Sequence, residues 1–206
     1  MTKVLLINGS PHRDGNTFVA LNEVAKTLNE QGIETEIAWI GTKPVRGCIA
    51  CNNCKMSGSG KCVFNDDVCN EMIDKLNAAD ALVLGAPVYY GVPAGQSLAL
   101  IQRVLYAGAQ VANKPAAAVT VCRRGGSTAA FQTLQMPFQM VNMPLVTSQY
   151  WNVVFGMMPG EASLDTEGMQ TMRQLARNMA WMLKSVEKAQ LPAPEVEEWQ
   201  GMHFIR

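Results

Sequence analysis

A turn rich in glycine, hydroxyl and amide groups follows the first apolar segment of the chain. It runs Gly9-Ser10-Pro11-His12-Arg13-Asp14-Gly15-Asn16-Thr17, and a helical pattern begins at its end. A helix N-terminus has four free N–H donors and a partial positive charge, and both favour a phosphate. We expect Ser10, Asn16 and Thr17 to add donors, and His12 or Arg13 to add charge. The turn predicts a phosphate site, and a helix cap without a ligand is the alternative.

Four of the six cysteines lie within fifteen positions, at Cys48, Cys51, Cys54 and Cys62. At about 3.3 Å per residue, the glycine-containing stretch 55–61 can bring the fourth thiolate back to the first three. A 4Fe-4S cluster needs four such thiolates. The spacing resembles the compact cluster motif of iron-sulfur flavoproteins, although Val63 stands where the bacterial ferredoxin run has proline. A 4Fe-4S cluster, a zinc site and free or regulatory thiols are all open interpretations.

Apolar segments and amphipathic helices alternate along the chain and must position these two motifs. Continuous apolar runs predict strands at residues 3–8, 33–40, 81–86, 116–122 and 145–154. Helical spacing and cap residues predict helices at 16–31, 66–76, 95–108, 129–140 and 166–188, with Asn16 capping the first and Gly32 ending it. The last helix has one apolar stripe, interpreted as core packing, that consists of Met169, Met172, Leu175, Met179, Leu183 and Val186.

Five strands that alternate with helices predict an α/β fold. We expect a doubly wound, five-stranded parallel sheet with strand order 2-1-3-4-5 between two helical layers. Residues 1–206 are expected to form one domain, with a C-terminal arm from about residue 190. Ligands of such sheets bind outside the carboxyl ends of the strands, at the point where the strand order reverses. The loops after the first, third and fourth strands are therefore expected to form the site.

The same loops carry a resemblance to a known family. Gly9-Ser10-Pro11 followed by Gly15-Asn16-Thr17 resembles the flavodoxin-like NADPH-dependent FMN reductases. The likeness continues in Ala86-Pro87-Val88-Tyr89-Tyr90-Gly91-Val92-Pro93 and in Arg123-Arg124-Gly125-Gly126, and it covers residues 3–155. It implies a flavodoxin-like fold with bound FMN, whose ring would be contacted by Pro87, Val88, Tyr89, Tyr90, Gly91, Arg123, Gly125 and Gly126. One helix departs from the family, because Leu98-Ala99-Leu100-Ile101-Gln102-Arg103 replaces the usual Lys-Ala-Phe-Leu-Asp-Arg.

Flavin chemistry is supplied by the flavin, so no catalytic side chain is expected. The resemblance implies an NAD(P)H-dependent FMN oxidoreductase that reduces flavin, quinone or another small electron acceptor. The alternative is an iron-sulfur flavoprotein that transfers electrons between FMN, a 4Fe-4S cluster and a redox protein partner. A non-enzymatic receiver-like module has the same strand order, but it needs carboxylates where this first strand ends in Asn8-Gly9-Ser10.

The composition of the chain restricts the partners that it is expected to bind and the cellular compartment in which it is expected to lie. Seventeen basic and seventeen acidic residues give no net charge, which argues against nucleic acid and anionic membranes as partners. The first apolar run is too short for a signal peptide and no stretch is long enough to span a membrane, so we expect a cytoplasmic protein with reduced thiols. Apolar residues in the final third favour a homodimer or higher homo-oligomer, namely Met136, Phe138, Met140, Met143, Trp151, Phe155, Met157 and Met158.

Overall fold

A parallel sheet forms the centre of the protein in a computed structural model that describes residues 2–198 and 200–201. Its strands are β1 (Lys3–Asn8), β2 (Glu34–Trp39), β3 (Ala81–Tyr89), β5 (Ala116–Cys122) and β6 (Val153–Phe155), in the order β2-β1-β3-β5-β6. A two-residue strand, β4 (Val92–Pro93), pairs antiparallel with the end of β3. Counted without β4, the order is 2-1-3-4-5, which confirms the prediction from the sequence.

Helices cover both faces of this sheet. They are α1 (Asn16–Glu30), α2 (Asn53–Met56), α3 (Cys69–Asn77), α4 (Gly95–Ala107), α5 (Ser127–Met140) and α6 (Thr166–Ala189), with a 3-10 turn at Glu161–Leu164. One apolar core lies between the sheet and α1 with α6, and the other lies between the sheet and α3, α4 and α5. Burial of apolar side chains on both faces explains the continuous apolar runs of the strands.

The stripe of α6 packs into the core as predicted, with one exception. Met169, Met172, Leu175, Met179 and Leu183 are buried, whereas Val186 is 65% exposed. The helix begins after Asp165, whose side chain accepts a hydrogen bond from the N–H of Gly168. The first helix differs from the prediction, because Gly15 precedes it and Asn16 is its first residue rather than its cap.

The last strand is shorter than the predicted segment 145–154. Leu145 forms an isolated bridge to Ala116, and regular pairing resumes only at Val153. Between them, the hydroxyl of Ser148 donates to the carbonyl of Tyr150 and the side chain of Asn152 donates to the carbonyl of Ala118. The local bond of Ser148 and the bond of Asn152 to the neighbouring strand β5 both compete with regular strand pairing, which explains the interruption.

Part of the surface predicted to mediate self-association is instead core. Phe138 and Met143 are buried, because both pack between α5 and the sheet. The remaining predicted side chains are exposed: Met136, Met140, Trp151, Phe155, Met157 and Met158. Residues 190–198 follow α6, are exposed and lack regular secondary structure. Within the described residues, no helix is long and apolar enough to cross a membrane.

Candidate functional site

A cleft of about 690 Å³ lies at the carboxyl ends of β1, β3 and β5. This volume lies within the range of about 300–1,000 Å³ that is typical of small-molecule sites. Among the predicted site residues, those that line it are Ser10, His12, Arg13, Asn16, Thr17, Pro87, Val88, Tyr89 and Arg123. Tyr90, Gly91, Gly125 and Gly126 do not line it. The loops after the first, third and fourth parallel strands thus meet in one cleft.

The turn after β1 is shaped by Asn8, whose side chain is fully buried. Its Oδ1 accepts a hydrogen bond of 3.1 Å from the N–H of Ser10, and its Nδ2 donates one of 2.9 Å to the carbonyl of Arg13. Gly9 permits a close approach beside it, since a Cβ there would lie 2.8 Å from the carbonyl oxygen of Gly85. The turn is therefore held in a fixed shape by the end of its own strand.

Free donors point to an anion at the start of α1. No side chain within the described residues caps this helix, so the N–H groups of its first turn are unpaired. Thr17 in that turn is buried, and its hydroxyl makes no hydrogen bond to any described residue. The hydroxyl of Ser10 accepts from the N–H of His12 and keeps its own proton free to donate. Such a set of donors, at the positive end of a helix, fits a phosphate group.

The side chain of Asn16 connects the start of α1 to the segment 156–162 at the cleft. Its Nδ2 donates to the carbonyl of Met158 at 2.9 Å, and its Oδ1 accepts from the N–H of Ala162 at 3.1 Å. Gly156 is required in this contact, because a Cβ there would lie 2.7 Å from the nitrogen of Ala162. The side chain of Asn16, predicted to bind phosphate, is thus used to join α1 to the segment 156–162. This segment also lines the cleft and was not predicted from the sequence.

Trp39 is a second cleft residue that sequence reasoning missed. It ends β2, and its indole N–H donates to the carbonyl of Ser10 at 2.8 Å. The guanidinium carbon of Arg13 lies 5.9 Å from the centre of its ring, within the range of a cation–π interaction. Its position at the carboxyl end of a strand next to β1 was the available signal. Trp39 thereby supports the turn from the side of β2.

The aromatic side of the cleft comes from the end of β3. Tyr89 is 43% exposed and lines the cleft, and burial raises the pKa of its phenol. Tyr90 is fully exposed and has a φ of 51°. Behind this hairpin, Gly126 approaches so closely that a Cβ would lie 2.7 Å from the Cα of Gly91. Gly91 and Gly126 therefore fix two loops against each other at the edge of the cleft.

The four clustered cysteines lie together in a separate pocket on the α4 side of the sheet. Cys48, Cys51, Cys54 and Cys62 all line it, with Ile49, Asn52, Val63, Phe64, Arg103, Tyr106 and Ala107. All six cysteines are reduced. No residue of the segment 41–68 is fully buried, so the segment that supplies these thiols rests on the domain rather than forming part of its core. The folding of 55–61 back toward Cys48 agrees with the prediction from spacing.

A buried ion pair borders the cysteine pocket. The side chains of Arg103 and Asp67 are 1% and 2% exposed, and Nη1 of the arginine donates to the carboxylate. Burial raises the pKa of Asp67, but hydrogen bonds from Arg103 and from two backbone N–H groups lower it below its ordinary value. Arg103 is the last residue of the helix segment 98–103, and its burial beside the cysteines was not predicted from the sequence.

The donor atoms that the pocket offers to a metal are the four thiol sulfurs. Among the described residues, no three His, Cys, Asp or Glu side chains form a group that could hold one ion. Tetrahedral zinc binds sulfur at about 2.3 Å and so draws its ligands close together. A cube of four irons separates its four thiolates more widely, since each binds a different corner. All four cysteines line one pocket, so it is the sulfur donor set, and not a preformed metal geometry, that fits such a cluster.

The chain is similar to several known proteins. The sequence model of the family described as NADPH-dependent FMN reductase matches residues 2–157. An iron-sulfur flavoprotein of Methanocaldococcus jannaschii is 36% identical over 90% of this chain and 100% of its own. Among solved structures, RosB with bound 8-demethyl-8-formylriboflavin-5'-phosphate superposes with a TM-score of 0.71 at 14% identity, covering 100% of this chain and 99% of RosB. A flavodoxin from the domain Archaea superposes with a TM-score of 0.60 at 12% identity, covering 89% and 99%.

Proposed function

The chain belongs to the NADPH-dependent FMN reductase family, and we propose that it binds FMN in the cleft at the carboxyl ends of β1, β3 and β5 and acts as an oxidoreductase. The observation that carries the proposal is the set of free donors in the turn after β1. Unpaired N–H groups and the hydroxyls of Ser10 and Thr17 surround the start of α1. These groups would hold the phosphate of FMN without a metal ion or a lysine.

The remaining walls of the cleft suit a flat ring. Tyr89, Val88 and Pro87 offer apolar surface on one side, and Met157 and Pro159 offer it on the other. Apolar walls with few polar groups exclude water and orient a planar ligand. Bound FMN would supply the chemistry of hydride and electron transfer between a reduced nicotinamide and a second molecule. The residues of this chain bind and orient it, and none is needed as an acid or base.

We propose NAD(P)H as the electron donor and a flavin, quinone or other small molecule as the acceptor. Protein purified without air is expected to show the visible absorbance of oxidised flavin and to lose it when NADPH or NADH is added. The variant Thr17→Val removes one phosphate donor and should weaken FMN binding, while Thr35→Val should not, because Thr35 lies on β2, outside the cleft lining, and its hydroxyl donates to Asn29 near the C-terminal end of α1. Colourless protein that cannot take up FMN would overturn this proposal.

A second function is favoured by the cysteine pocket. The four cysteines line one pocket, and the relative from Methanocaldococcus jannaschii is named an iron-sulfur flavoprotein. We propose that Cys48, Cys51, Cys54 and Cys62 bind a 4Fe-4S cluster that exchanges electrons with the flavin or with a redox protein partner. The exposure of Cys48 and Cys51 would place part of such a cluster near the surface, where a partner could reach it.

Iron and sulfide analysis tests this second function. Protein prepared and reconstituted without air is expected to contain four irons and four sulfides per chain. Cys51→Ala should lose most of this iron, because Cys51 is an exposed member of the set. Cys69→Ala is the matched control, since Cys69 is buried and burial raises the pKa of its thiol to about 12, which disfavours a thiolate ligand. Equal iron in both variants, or none in the unmodified protein, would refute the cluster.

A further inference from the structure

We propose that Arg103 is the residue that sets the reduction potential of the cluster, by donating a hydrogen bond to the sulfur of Cys62. The inference rests on the proposed 4Fe-4S cluster and goes beyond it, because it concerns a residue outside the cysteine motif. Arg103 lies on α4, whereas the four cysteines lie in the segment between β2 and α3. The long-range contact between them is therefore a feature of the tertiary structure.

The guanidinium group has different partners at its different nitrogens. Nη1 donates to the carboxylate of Asp67 and to the carbonyl of Arg46. Nη2 donates to the Sγ of Cys62 at 3.2 Å and to the carbonyl of Phe64 at 3.4 Å. Because Asp67 is bound through Nη1, it fixes the guanidinium without displacing the sulfur. The direction of Nη2 toward Cys62 is thus determined by the protein, before any cluster is bound.

One donor of Arg103 is left over. Its Nε is buried and has no hydrogen-bond partner within the part of the chain that the structure describes. Buried donors in native proteins are nearly always paired, and an unpaired one costs about 1–3 kcal/mol. Arg103 lines the cysteine pocket, and a sulfur-rich anionic group bound in that pocket would supply an acceptor. The unpaired Nε therefore fits a ligand in the pocket better than a purely structural role.

The guanidinium remains charged in this environment. Arginine keeps its proton in proteins, and the buried carboxylate of Asp67 pairs with the charge. An ion pair this deeply buried gains little or no stability over apolar residues of similar size. A positive donor next to a ligand sulfur gives the pair a second consequence, because it stabilises the negative charge that reduction adds.

The variant Arg103→Lys tests the inference. Lysine has a single ammonium group, which can keep the pairing with Asp67 but cannot also reach Cys62. We expect the cluster potential to become more negative by a change of about tenfold in the reduction equilibrium, which is about 59 mV for one electron. Arg46→Lys is the matched control, because the side chain of Arg46 pairs with Asp66 and makes no contact with Cys62. Its potential should equal that of the unmodified protein.

The measurement is a potentiometric titration without air, followed by electron paramagnetic resonance for the cluster and by visible absorbance for the flavin. Iron and sulfide content are determined on the same samples. The flavin potential should not change in Arg103→Lys, because Arg103 does not line the flavin cleft. A fully loaded Arg103→Lys protein with an unchanged cluster potential would overturn the inference while leaving the cluster intact. Absence of iron from the unmodified protein would overturn the cluster and this inference together.

A second variant covers the case in which Arg103→Lys does not fold. Asp67→Asn keeps Arg103 and its bond to Cys62, but removes the negative charge that partly neutralises the guanidinium. The cluster potential should then become less negative, opposite in sign to the effect of Arg103→Lys. General loosening of the pocket would shift both variants in the same direction. An unchanged or more negative potential in Asp67→Asn would contradict the role of Arg103.

Discussion

The buried side chain of Asn8 offers the sharpest test of how the phosphate turn is built. In Asn8→Ala, the N–H of Ser10 and the carbonyl of Arg13 both lose their partner. The two hydrogen bonds have normal lengths of 3.1 and 2.9 Å, and no other contact recorded for these two groups replaces them. Both hydrogen bonds of the Asn8 side chain go to residues of the turn, so we expect the effect of the substitution to be confined to the turn.

The magnitude follows from these two bonds. Each is worth about 1 kcal/mol net, so Asn8→Ala should lower the free energy of unfolding by about 2 kcal/mol. If FMN binds only to the ordered turn, the variant must order its turn when FMN binds, and this free energy is subtracted from the free energy of binding. A loss of about 2 kcal/mol corresponds to roughly thirtyfold in the dissociation constant of FMN.

The assay combines urea denaturation of the flavin-free protein with titration of flavin fluorescence. Asn152→Ala is the matched control, because Asn152 is equally buried and donates a similar bond of 3.0 Å to the carbonyl of Ala118, outside the cleft. It should lose about 1 kcal/mol of stability and keep its FMN affinity. If Asn8→Ala binds FMN as tightly as Asn152→Ala does, the turn is not held in shape by Asn8.

Three further predictions address the turn, the charge of the cleft and the edge of the sheet. Gly9→Ala should lower stability by about 1–3 kcal/mol in urea denaturation, because the new Cβ would meet the carbonyl oxygen of Gly85 at 2.8 Å. Asn16→Asp should weaken FMN roughly tenfold more than it weakens riboflavin in fluorescence titrations, because only FMN has a phosphate that a carboxylate repels. Hydrogen bonds from Lys3 and Lys75 lower the pKa of Glu36, so its stabilisation is present at neutral pH and is lost as the pH falls below about 4.5. Melting temperatures of Glu36→Gln should accordingly depend less on pH between 3 and 6.

The sheet could be predicted from the sequence because its strands are buried on both faces. Residues 4–7 of β1 are all apolar and buried, and this pattern needs no knowledge of distant residues. The strand predicted at 145–154 is shorter in the structure, because the side chains of Ser148 and Asn152 bind backbone groups that a strand would use. The partner of Asn152 lies on the neighbouring strand β5, so the periodicity of apolar residues in 145–154 does not reveal this competition.

The site could be predicted only in part, for a related reason. The turn 9–17 and Tyr89 carry local signals of glycine, hydroxyl and aromatic residues, and both line the cleft. Trp39 and the segment 156–162 reach the cleft through hydrogen bonds to residues far along the chain. The burial of Arg103 was not predicted, because the carboxylate that permits it lies 36 positions earlier in the sequence. Contacts between side chains that lie so far apart in the sequence can be recognised only in the folded structure.

No residue of the cysteine segment 41–68 is buried as a whole, and the segment is attached to the interior by the buried side-chain pair of Asp67 with Arg103 and by Val45, Cys54, Cys62 and Val68, which pack against the second core. In evolution, a segment of this kind can be replaced or lost while the rest of the domain keeps its fold. The arginine on α4 is the exception, because without Asp67 it would leave a charge stranded in the protein interior. Lineages that abandoned the four thiols are thus expected either to have replaced this arginine as well or to have retained a carboxylate beside it.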